Sequence, residues 1–258
     1  MNKIAAAFAG KKAFITYLMA GDPDLVASAE YILAAQEAGA DLIEIGIPFS
    51  DPIAEGEVIQ QASVRALSSG TRLDGVFEMV LSLKGKIRVP LVFMTYLNPV
   101  FVFGYEEFFK KCQEIGISGI IIPDLPYEEM AEVKAPAARY GVEVITLIAP
   151  TSQGRILRLA QEAQGFVYLV SSLGVTGMRS NITTDIDTII SEIQSITNIP
   201  VAVGFGISTP EQVKAYSQRA DGVIVGSAIV NLIARQGKEA KQVLMEYIRE
   251  MKAAQNGD

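Results

Sequence analysis

The sequence has no histidine and only one cysteine, Cys112. An internal disulfide therefore cannot form, and the usual zinc sites made of cysteine and histidine are excluded. A serine–histidine triad is excluded as well, so any acid–base chemistry must use carboxylates, tyrosine or lysine. Cys112 lies in an amphipathic stretch, which predicts a buried, unreactive thiol.

Positive charge is also scarce, because 22 lysines and arginines face 29 acids and leave a net charge of −7. This balance disfavours a nucleic-acid binder or a partner of acidic membrane lipids. Apolar runs of membrane-spanning length are missing, and the first residues do not form a signal-peptide pattern. We therefore expect a soluble cytoplasmic protein that can still bind a phosphate locally, through the backbone N–H groups at a helix start.

A repeated pattern organises the chain: a helical stretch ends near a glycine, and a short β-branched run follows. Strands alternating with helices predict a parallel sheet, and eight such units in 258 residues predict a closed (β/α)8 barrel. We expect one domain over residues 1–258 with a short N-terminal helix, and a doubly wound sheet is disfavoured because no G-x-G-x-x-G follows the first strand. Pro136 falls inside a helical pattern and predicts a kink or a late helix start. The predicted strands are Ala13–Met19, Leu42–Ile47, Leu91–Tyr96, Gly119–Ile122, Glu143–Ile148, Phe166–Val170, Val201–Val203 and Gly222–Val225, and the clearest predicted helices are Leu25–Ala38, Leu73–Leu83, Glu106–Ile115 and Glu211–Ser217.

One carboxylate, Glu44, interrupts the second strand, "LIEIGI". Side chains alternate along a strand, so Ile43, Ile45 and Ile47 share the face that suits the outer helices, and Glu44 points into the barrel. Barrel enzymes place their chemistry at the carboxyl ends of the strands, and burial there raises the pKa of a carboxyl towards the range useful for catalysis. We interpret Glu44 as an acid–base group, against the alternative of a buried glutamate with a structural partner.

The loop that follows this strand carries further acids. Glu55 is a candidate second carboxylate, although a solvated loop acid fits the residues equally well. Asp51 lies in "FSDP", which is common turn chemistry.

Two glycine-containing turns follow the seventh and eighth strands, the positions where barrels of this kind bind phosphate. In "GFGISTPEQ" Gly204 and Gly206 precede a helix start, and in "VGSAIV" Gly226 and Ser227 precede another. Glycine lets backbone approach an anion closely, and a helix start directs N–H groups towards it. The long polar loop after the sixth strand, residues 171–187, predicts a lid in which Thr176 and Gly177 contact the same phosphate.

Three tyrosines, Tyr17, Tyr96 and Tyr168, fall near the carboxyl ends of strands. Aromatic residues in strands usually belong to the core, so the residues alone do not assign them to a substrate.

Taken together, the segments "YLMAGDPD", "IEIGIPFSDPIAEG", "MTYLNPVF", "IIPDLPYEE", "YLVSSLGVTG", "GFGISTPEQV" and "GVIVGSAIV" resemble the α subunits of tryptophan synthases. The resemblance spans nearly the whole chain, and the IPFSDP, GVTG and GFGIS segments are specific to that family. It implies a carbon–carbon lyase that cleaves indole-3-glycerol phosphate to indole and glyceraldehyde 3-phosphate, a retro-aldol reaction of tryptophan biosynthesis. Glu44 matches the catalytic glutamate and Glu55 the second catalytic carboxylate. The matching substrate-pocket and phosphate positions are Tyr17, Ile59, Met94, Tyr168, Thr176, Gly177, Gly204, Phe205, Gly206, Gly226 and Ser227.

The same resemblance implies a partner, a β subunit that carries pyridoxal phosphate and joins the released indole to serine within an α2β2 complex. This chain itself is expected to need no metal and no cofactor. The positions that match the surface facing the partner are Asp51, Pro52, Asn98, Pro99, Asp124 and Pro126.

The chain departs from the family pattern at the second carboxylate, where the family commonly has Asp-Gly-Pro and this chain has Glu55, Gly56 and Glu57. The carboxylate is moved outward by one methylene and the proline is lost. Misplacing a catalytic group by about 1 Å can cost on the order of a hundredfold in rate. A regulatory subunit with weakened chemistry is therefore an alternative. Another phosphate-binding barrel, such as a sugar-phosphate epimerase or isomerase, is a further one.

Overall fold

A computed structural model describes residues 3–150, 153–171 and 186–257 of the chain. Within these ranges the chain forms one parallel sheet of nine strands surrounded by helices. The strands are β1 (Ala13–Met19), β2 (Leu42–Gly46), β3 (Leu91–Met94), β4 (Gly119–Ile121), β5 (Glu143–Val144), β6 (Thr146–Ile148), β7 (Val167–Val170), β8 (Val201–Gly204) and β9 (Gly222–Val225).

The sheet curves into a barrel that the chain itself closes. Its order is β5-β4-β3-β2-β1-β9-β8-β7-β6, so the two ends of the sheet are consecutive in sequence and separated only by Ile145. The Ile145 amide donates to the Ile120 carbonyl at 2.8 Å on one side, and Thr146 is in register with Val167 on the other. The predicted fifth strand is thus present as two halves that face different neighbours, and the predicted (β/α)8 barrel is confirmed.

The helices are α1 (Lys3–Phe8), α2 (Leu25–Ala38), α3 (Glu57–Ser68), α4 (Leu73–Ser82), α5 (Leu97–Phe103), α6 (Tyr105–Ile115), α7 (Met130–Arg139), α8 (Gln153–Gln161), α9 (Ile186–Ile196), α10 (Pro210–Ser217), α11 (Ser227–Gln236) and α12 (Lys241–Asn256). Short 3-10 turns occupy Tyr127–Glu129 and Gly237–Glu239. None of the helices in the described part of the chain is long and apolar enough to cross a membrane.

Local sequence accounts for where several of these helices begin and end. Asp24 caps α2 by accepting a hydrogen bond from the Ala27 amide, and Gly39 ends the helix in the left-handed conformation that glycine favours. Helix α7 begins at Met130 and continues through Pro136. The predicted late helix start is therefore wrong, and the kink at the proline stays a prediction.

Two buried clusters show which face of each strand points inward. Ile43, Ile45 and Ile47 belong to the cluster between the sheet and the helices, as the alternation predicts. Leu42 and Tyr17 belong to the cluster inside the barrel. At the amino-terminal ends of the strands, α1 closes the barrel by packing Phe8 on Phe166, with ring centroids 5.7 Å apart.

Candidate active site

Glu44 lies inside the barrel, fully buried on β2 between Tyr17 on β1 and Val92 on β3. Neither carboxyl oxygen has a hydrogen-bond partner among the residues that the structure describes. Burial raises the pKa of Glu44 to about 8. A buried carboxyl without a structural partner is costly, so the arrangement favours a functional group that is protonated near neutral pH.

Two buried tyrosines stand beside this carboxyl because two glycines make room for them. A methyl group added at Gly46 would lie 2.0 Å from the Tyr17 hydroxyl oxygen, and one at Gly204 would lie 2.5 Å from that of Tyr168. Burial raises the pKa of both phenols, and the charge of Glu44 raises each further. The site therefore holds two neutral phenols against the carboxyl.

Glu55 lies in the loop before α3 and is held by Tyr96. The Tyr96 hydroxyl donates a hydrogen bond to Glu55 Oε2 at 2.8 Å, and the Gln60 side-chain amide donates to the Glu55 carbonyl at 2.8 Å. Burial raises the pKa of Glu55, the hydrogen bond from Tyr96 lowers it in part, and the charge of Asp124 raises it. Burial raises the pKa of Tyr17, the charges of Glu55 and Glu44 raise it further, and all three side chains line the same pocket.

An acid, Glu57, stands at the start of α3, where a proline would also suit the helix. Gly56 is the N-cap of α3, with extended backbone, and Glu57 is the first helical residue. That position favours proline, but it also favours an acid because of the positive end of the helix dipole. Glu57 thus keeps the helix start that a proline would otherwise set.

The two glycine turns differ in whether a side-chain cap occupies the backbone N–H groups at the start of the following helix. At α10, Thr209 accepts a hydrogen bond from the Gln212 amide, and the Gln212 side chain accepts from the Thr209 amide, which forms a complete capping box. At α11, Gly226 provides no side-chain cap. The first amides of α11, rather than those of α10, are therefore the better phosphate donors.

Phe205, between the two glycines of the first turn, has a positive φ of 81°, and Gly206 follows with φ 75°. Phe205 is the one non-glycine residue in the described ranges with such a backbone. Its carbonyl accepts a hydrogen bond from the Ser171 hydroxyl at 2.6 Å. An aromatic residue in this conformation costs on the order of 1–3 kcal/mol, which is typical of backbone held for a functional site.

These groups line one pocket with a cavity volume of about 250 Å³ at the carboxyl ends of the strands. Ten of the residues singled out from the sequence line it: Tyr17, Glu44, Glu55, Ile59, Met94, Tyr168, Phe205, Gly206, Gly226 and Ser227. Gly204 lies in β8 under Tyr168 and outside this lining. Thr176 and Gly177, with the rest of the predicted lid, lie outside the described residues.

Sequence reasoning missed part of the wall. Gly56, Glu57, Val58 and Ile207 also line the pocket. Val58 lies directly before Ile59 and Ile207 directly after Gly206, but a lone aliphatic residue gives no signal of its own. Among the described lining residues there is no lysine or arginine, and no group of described residues has the composition of a metal site.

The residues expected to face a partner lie on the same side of the barrel, in the loops after β2, β3 and β4. Asp51 and Asn98 are exposed, whereas Pro52, Pro99, Asp124 and Pro126 are half-buried. Asp124 accepts a hydrogen bond from the Leu97 amide at 2.9 Å, so it also fixes the start of α5. Three large apolar side chains stand out into solvent beside these positions: Ile53, Phe101 and Val102.

A parallel barrel with a buried glutamate that has no partner among the described residues, a second carboxylate and an uncapped helix start at the carboxyl ends of the strands is typical of barrel enzymes that use carboxyl acid–base chemistry on a phosphate-bearing substrate. The family model for the tryptophan synthase alpha chain matches residues 4–256. The chain belongs to the tryptophan synthase alpha chain family, whose members are lyases that cleave indole-3-glycerol phosphate to indole and glyceraldehyde 3-phosphate in tryptophan biosynthesis.

Individual relatives agree with the family match. The tryptophan synthase alpha chain of Lactiplantibacillus plantarum is 48% identical over 258 residues, which cover 100% of this chain and 97% of that one. The crystal structure of the alpha subunit from Legionella pneumophila str. Paris superposes with a TM-score of 0.90 at 33% identity and full coverage of both chains. A chain of the tryptophan synthase α2β2 complex from Pyrococcus furiosus superposes with a TM-score of 0.85 at 36% identity, covering 94% of this chain and 99% of that one.

Proposed function

We propose that this chain, as a single barrel domain in the cytoplasm, cleaves indole-3-glycerol phosphate at the pocket lined by Glu44 and Glu55. The observation that carries the proposal is the Glu44 carboxyl, fully buried, free of partners among the described residues and with its pKa raised to about 8. Retro-aldol cleavage needs a group that first delivers a proton to carbon and then accepts one from a hydroxyl. A carboxyl that is protonated near neutral pH suits this role.

Glu44 performs both proton transfers in the proposed reaction. It first protonates C3 of the indole ring and becomes a carboxylate. That carboxylate then takes the proton of the C3′ hydroxyl as the bond between C3 and C3′ breaks, and the bonding electrons return to the ring. The aldehyde and indole leave, and Glu44 is again protonated, so no metal or other cofactor is required of this chain.

Glu55 has a different role because its environment differs. Its Oε2 already accepts a hydrogen bond from Tyr96. The carboxylate can also accept a hydrogen bond from the indole N1–H and stabilise the positively charged indolenine. The phosphate would lie at the other end of the pocket, where Gly206 and the uncapped start of α11 present backbone N–H groups. These two ends orient the substrate.

The partner in this proposal is a tryptophan synthase β subunit that carries pyridoxal phosphate. The Pyrococcus furiosus neighbour belongs to an α2β2 complex in which mutual activation is described. We place the partner surface of this chain at Asp51, Pro52, Asn98, Pro99, Asp124 and Pro126, next to the exposed apolar side chains.

Indole release from indole-3-glycerol phosphate tests the proposal, measured with the purified chain alone and with a β subunit added. We expect slow release by the chain alone and faster release with the partner. Absence of indole in both cases, together with stimulation of the partner's serine reaction, would contradict the lyase and support the regulatory alternative.

A further inference from the structure

The Tyr96 hydroxyl is a junction between the loop after β2 and the second carboxylate. It accepts hydrogen bonds from the Ile53 amide at 3.0 Å and the Ala54 amide at 2.9 Å, and it donates to Glu55 Oε2 at 2.8 Å. A tyrosine hydroxyl has one proton to donate and two lone pairs to accept with, so these contacts use its full capacity.

The ring that carries this hydroxyl is fixed by its surroundings. Tyr96 is 2% exposed, and its ring packs on Phe49 with centroids 5.3 Å apart. The next residue, Leu97, donates its amide to Asp124. The hydroxyl is therefore a fixed point on the barrel, whereas the loop that carries Glu55 depends on it.

We propose that Tyr96 is the positioning residue for Glu55, and that its hydroxyl retains the glutamate side chain, which reaches farther than an aspartate would. This inference rests on the proposed function, since it assumes that Glu55 acts on the substrate. A methylene adds at most about 1.5 Å, the length of one carbon–carbon bond, to the reach of a side chain. With the backbone unchanged, an aspartate at this position would leave the hydroxyl beyond hydrogen-bond range, because O–H···O bonds end at about 3.0 Å.

The contact also affects the charge state of Glu55. The hydrogen bond from Tyr96 lowers the pKa of a carboxyl that burial raises, so it favours the ionised acceptor. Removing the hydroxyl should raise the pKa of Glu55 and leave the Ile53 and Ala54 amides without their acceptor. A catalytic step that needs ionised Glu55 would then begin only at higher pH.

Tyr96→Phe, made in the parent and in Glu55→Asp, tests this. In the parent we expect kcat near pH 7 to fall by about tenfold or more, as for a lost charged hydrogen bond, with a smaller change in KM. The acidic limb of the kcat profile should move to higher pH. In Glu55→Asp the same substitution should change kcat by less than about threefold, because the shorter carboxylate does not reach the hydroxyl. Equal losses in both backgrounds would overturn the proposal.

Tyr31→Phe is the matched control, because its buried hydroxyl donates to the Gly237 carbonyl. It should lose stability without a shift of the pH profile. Should Tyr96→Phe not fold, Glu55→Asp breaks the same contact from the other side. It is expected to change kcat more than thermal stability, and turnover equal to that of the parent would overturn the retention of the longer side chain.

A carboxyl titration of Glu55 separates this inference from the proposed function. The Glu55 signal of the 13C-labelled chain is assigned by its loss in Glu55→Gln, and its pKa is followed in the parent and in Tyr96→Phe. A higher pKa of Glu55 in Tyr96→Phe supports the contact even if no indole is formed. The absence of indole would contradict the proposed function alone. An unchanged pKa overturns the positioning role whatever the turnover.

Discussion

Glu44 depends on strand alternation for its direction and on burial for its chemistry. The isoleucines on either side occupy the outer cluster, so the carboxyl has no alternative to the barrel interior. The direction was predictable from the sequence, because a period of two follows from the backbone alone. The absence of a partner for its oxygens in the described ranges was not, since it depends on every residue lining the barrel.

Glu44→Gln should abolish indole formation while the chain still folds. The amide keeps the shape of the carboxyl but cannot deliver a proton to carbon or take one from the hydroxyl. Steady-state turnover with the β subunit present, together with circular dichroism, measures both. Turnover near that of the parent would remove Glu44 from the mechanism.

The same substitution should change how stability depends on pH. The pKa of Glu44 is about 8 in the folded chain and is raised from 4.5 by burial, so the unfolded chain loses its proton first. The stabilisation is fully present below the lower value and is lost as the pH rises through the higher one. In thermal unfolding, the Tm of Glu44→Gln should therefore rise relative to that of the parent as the pH increases from about 5 to about 8.5.

Glu78→Gln, at an exposed position of α4, provides the comparison for that experiment. Its difference from the parent should stay nearly constant across the same pH range. A constant difference for Glu44→Gln as well would mean that the Glu44 carboxyl is solvated in the folded chain.

The contact between Tyr96 and Glu55 joins residues 41 positions apart and was beyond sequence reasoning. It depends on how one loop folds over the end of β3, which no local pattern specifies. Sequence reasoning extended the strand to Tyr96, whereas β3 ends at Met94. Tyr96 instead precedes α5, and from this position its hydroxyl binds the amides of the loop after β2.

Elements were predicted well where strong periodicity and capping residues agree. The predicted helix Leu25–Ala38 matches α2, which has both an aspartate cap and a glycine end. The second strand was predicted to reach Ile47, yet β2 ends at Gly46. The break at Ile145 was not foreseen, because closing the barrel is a property of the whole sheet and not of the run of residues 143–148.

Helix α3 offers a test of where the helix begins and of which residues its first position tolerates. Glu57→Pro should fold with a stability within about 1 kcal/mol of the parent, because proline suits the first helical position and the lost dipole interaction is small. Val64→Pro, at an exposed position inside the same helix, should cost about 3 kcal/mol. Chemical denaturation of both variants gives the comparison, and equal losses would show that α3 does not begin at Glu57.

At the scale of the whole molecule, the exposed apolar side chains beside the predicted partner surface form a patch of the kind that marks a protein–protein interface. Ile53 is 78% exposed and lies in the loop whose amides reach Tyr96, while Phe101 and Val102 belong to α5 directly after Tyr96. Partner surface and pocket are thus connected through few residues. We expect the β subunit to cover this patch.

Val102→Ser should weaken the activation of indole release by the β subunit several-fold, with turnover of the isolated chain unchanged. Val26→Ser is the matched control, since both valines are 74% exposed and Val26 lies on α2. Titration of the β subunit against each variant at fixed substrate gives the half-saturating concentration. Equal values for the two variants would place the partner elsewhere.

The way the barrel closes also limits how any partner can be recognised. Binding by strand addition needs a row of unpaired backbone groups along a sheet edge. Among the described strands, the two ends of the sheet are half-strands of two and three residues, joined to each other through Ile145. So short a border gives an incoming chain almost nothing to extend. A partner of this protein is therefore expected to bind its side chains and loops rather than a sheet edge. The surface loops can then change together with a partner while the hydrogen bonding of the sheet stays the same.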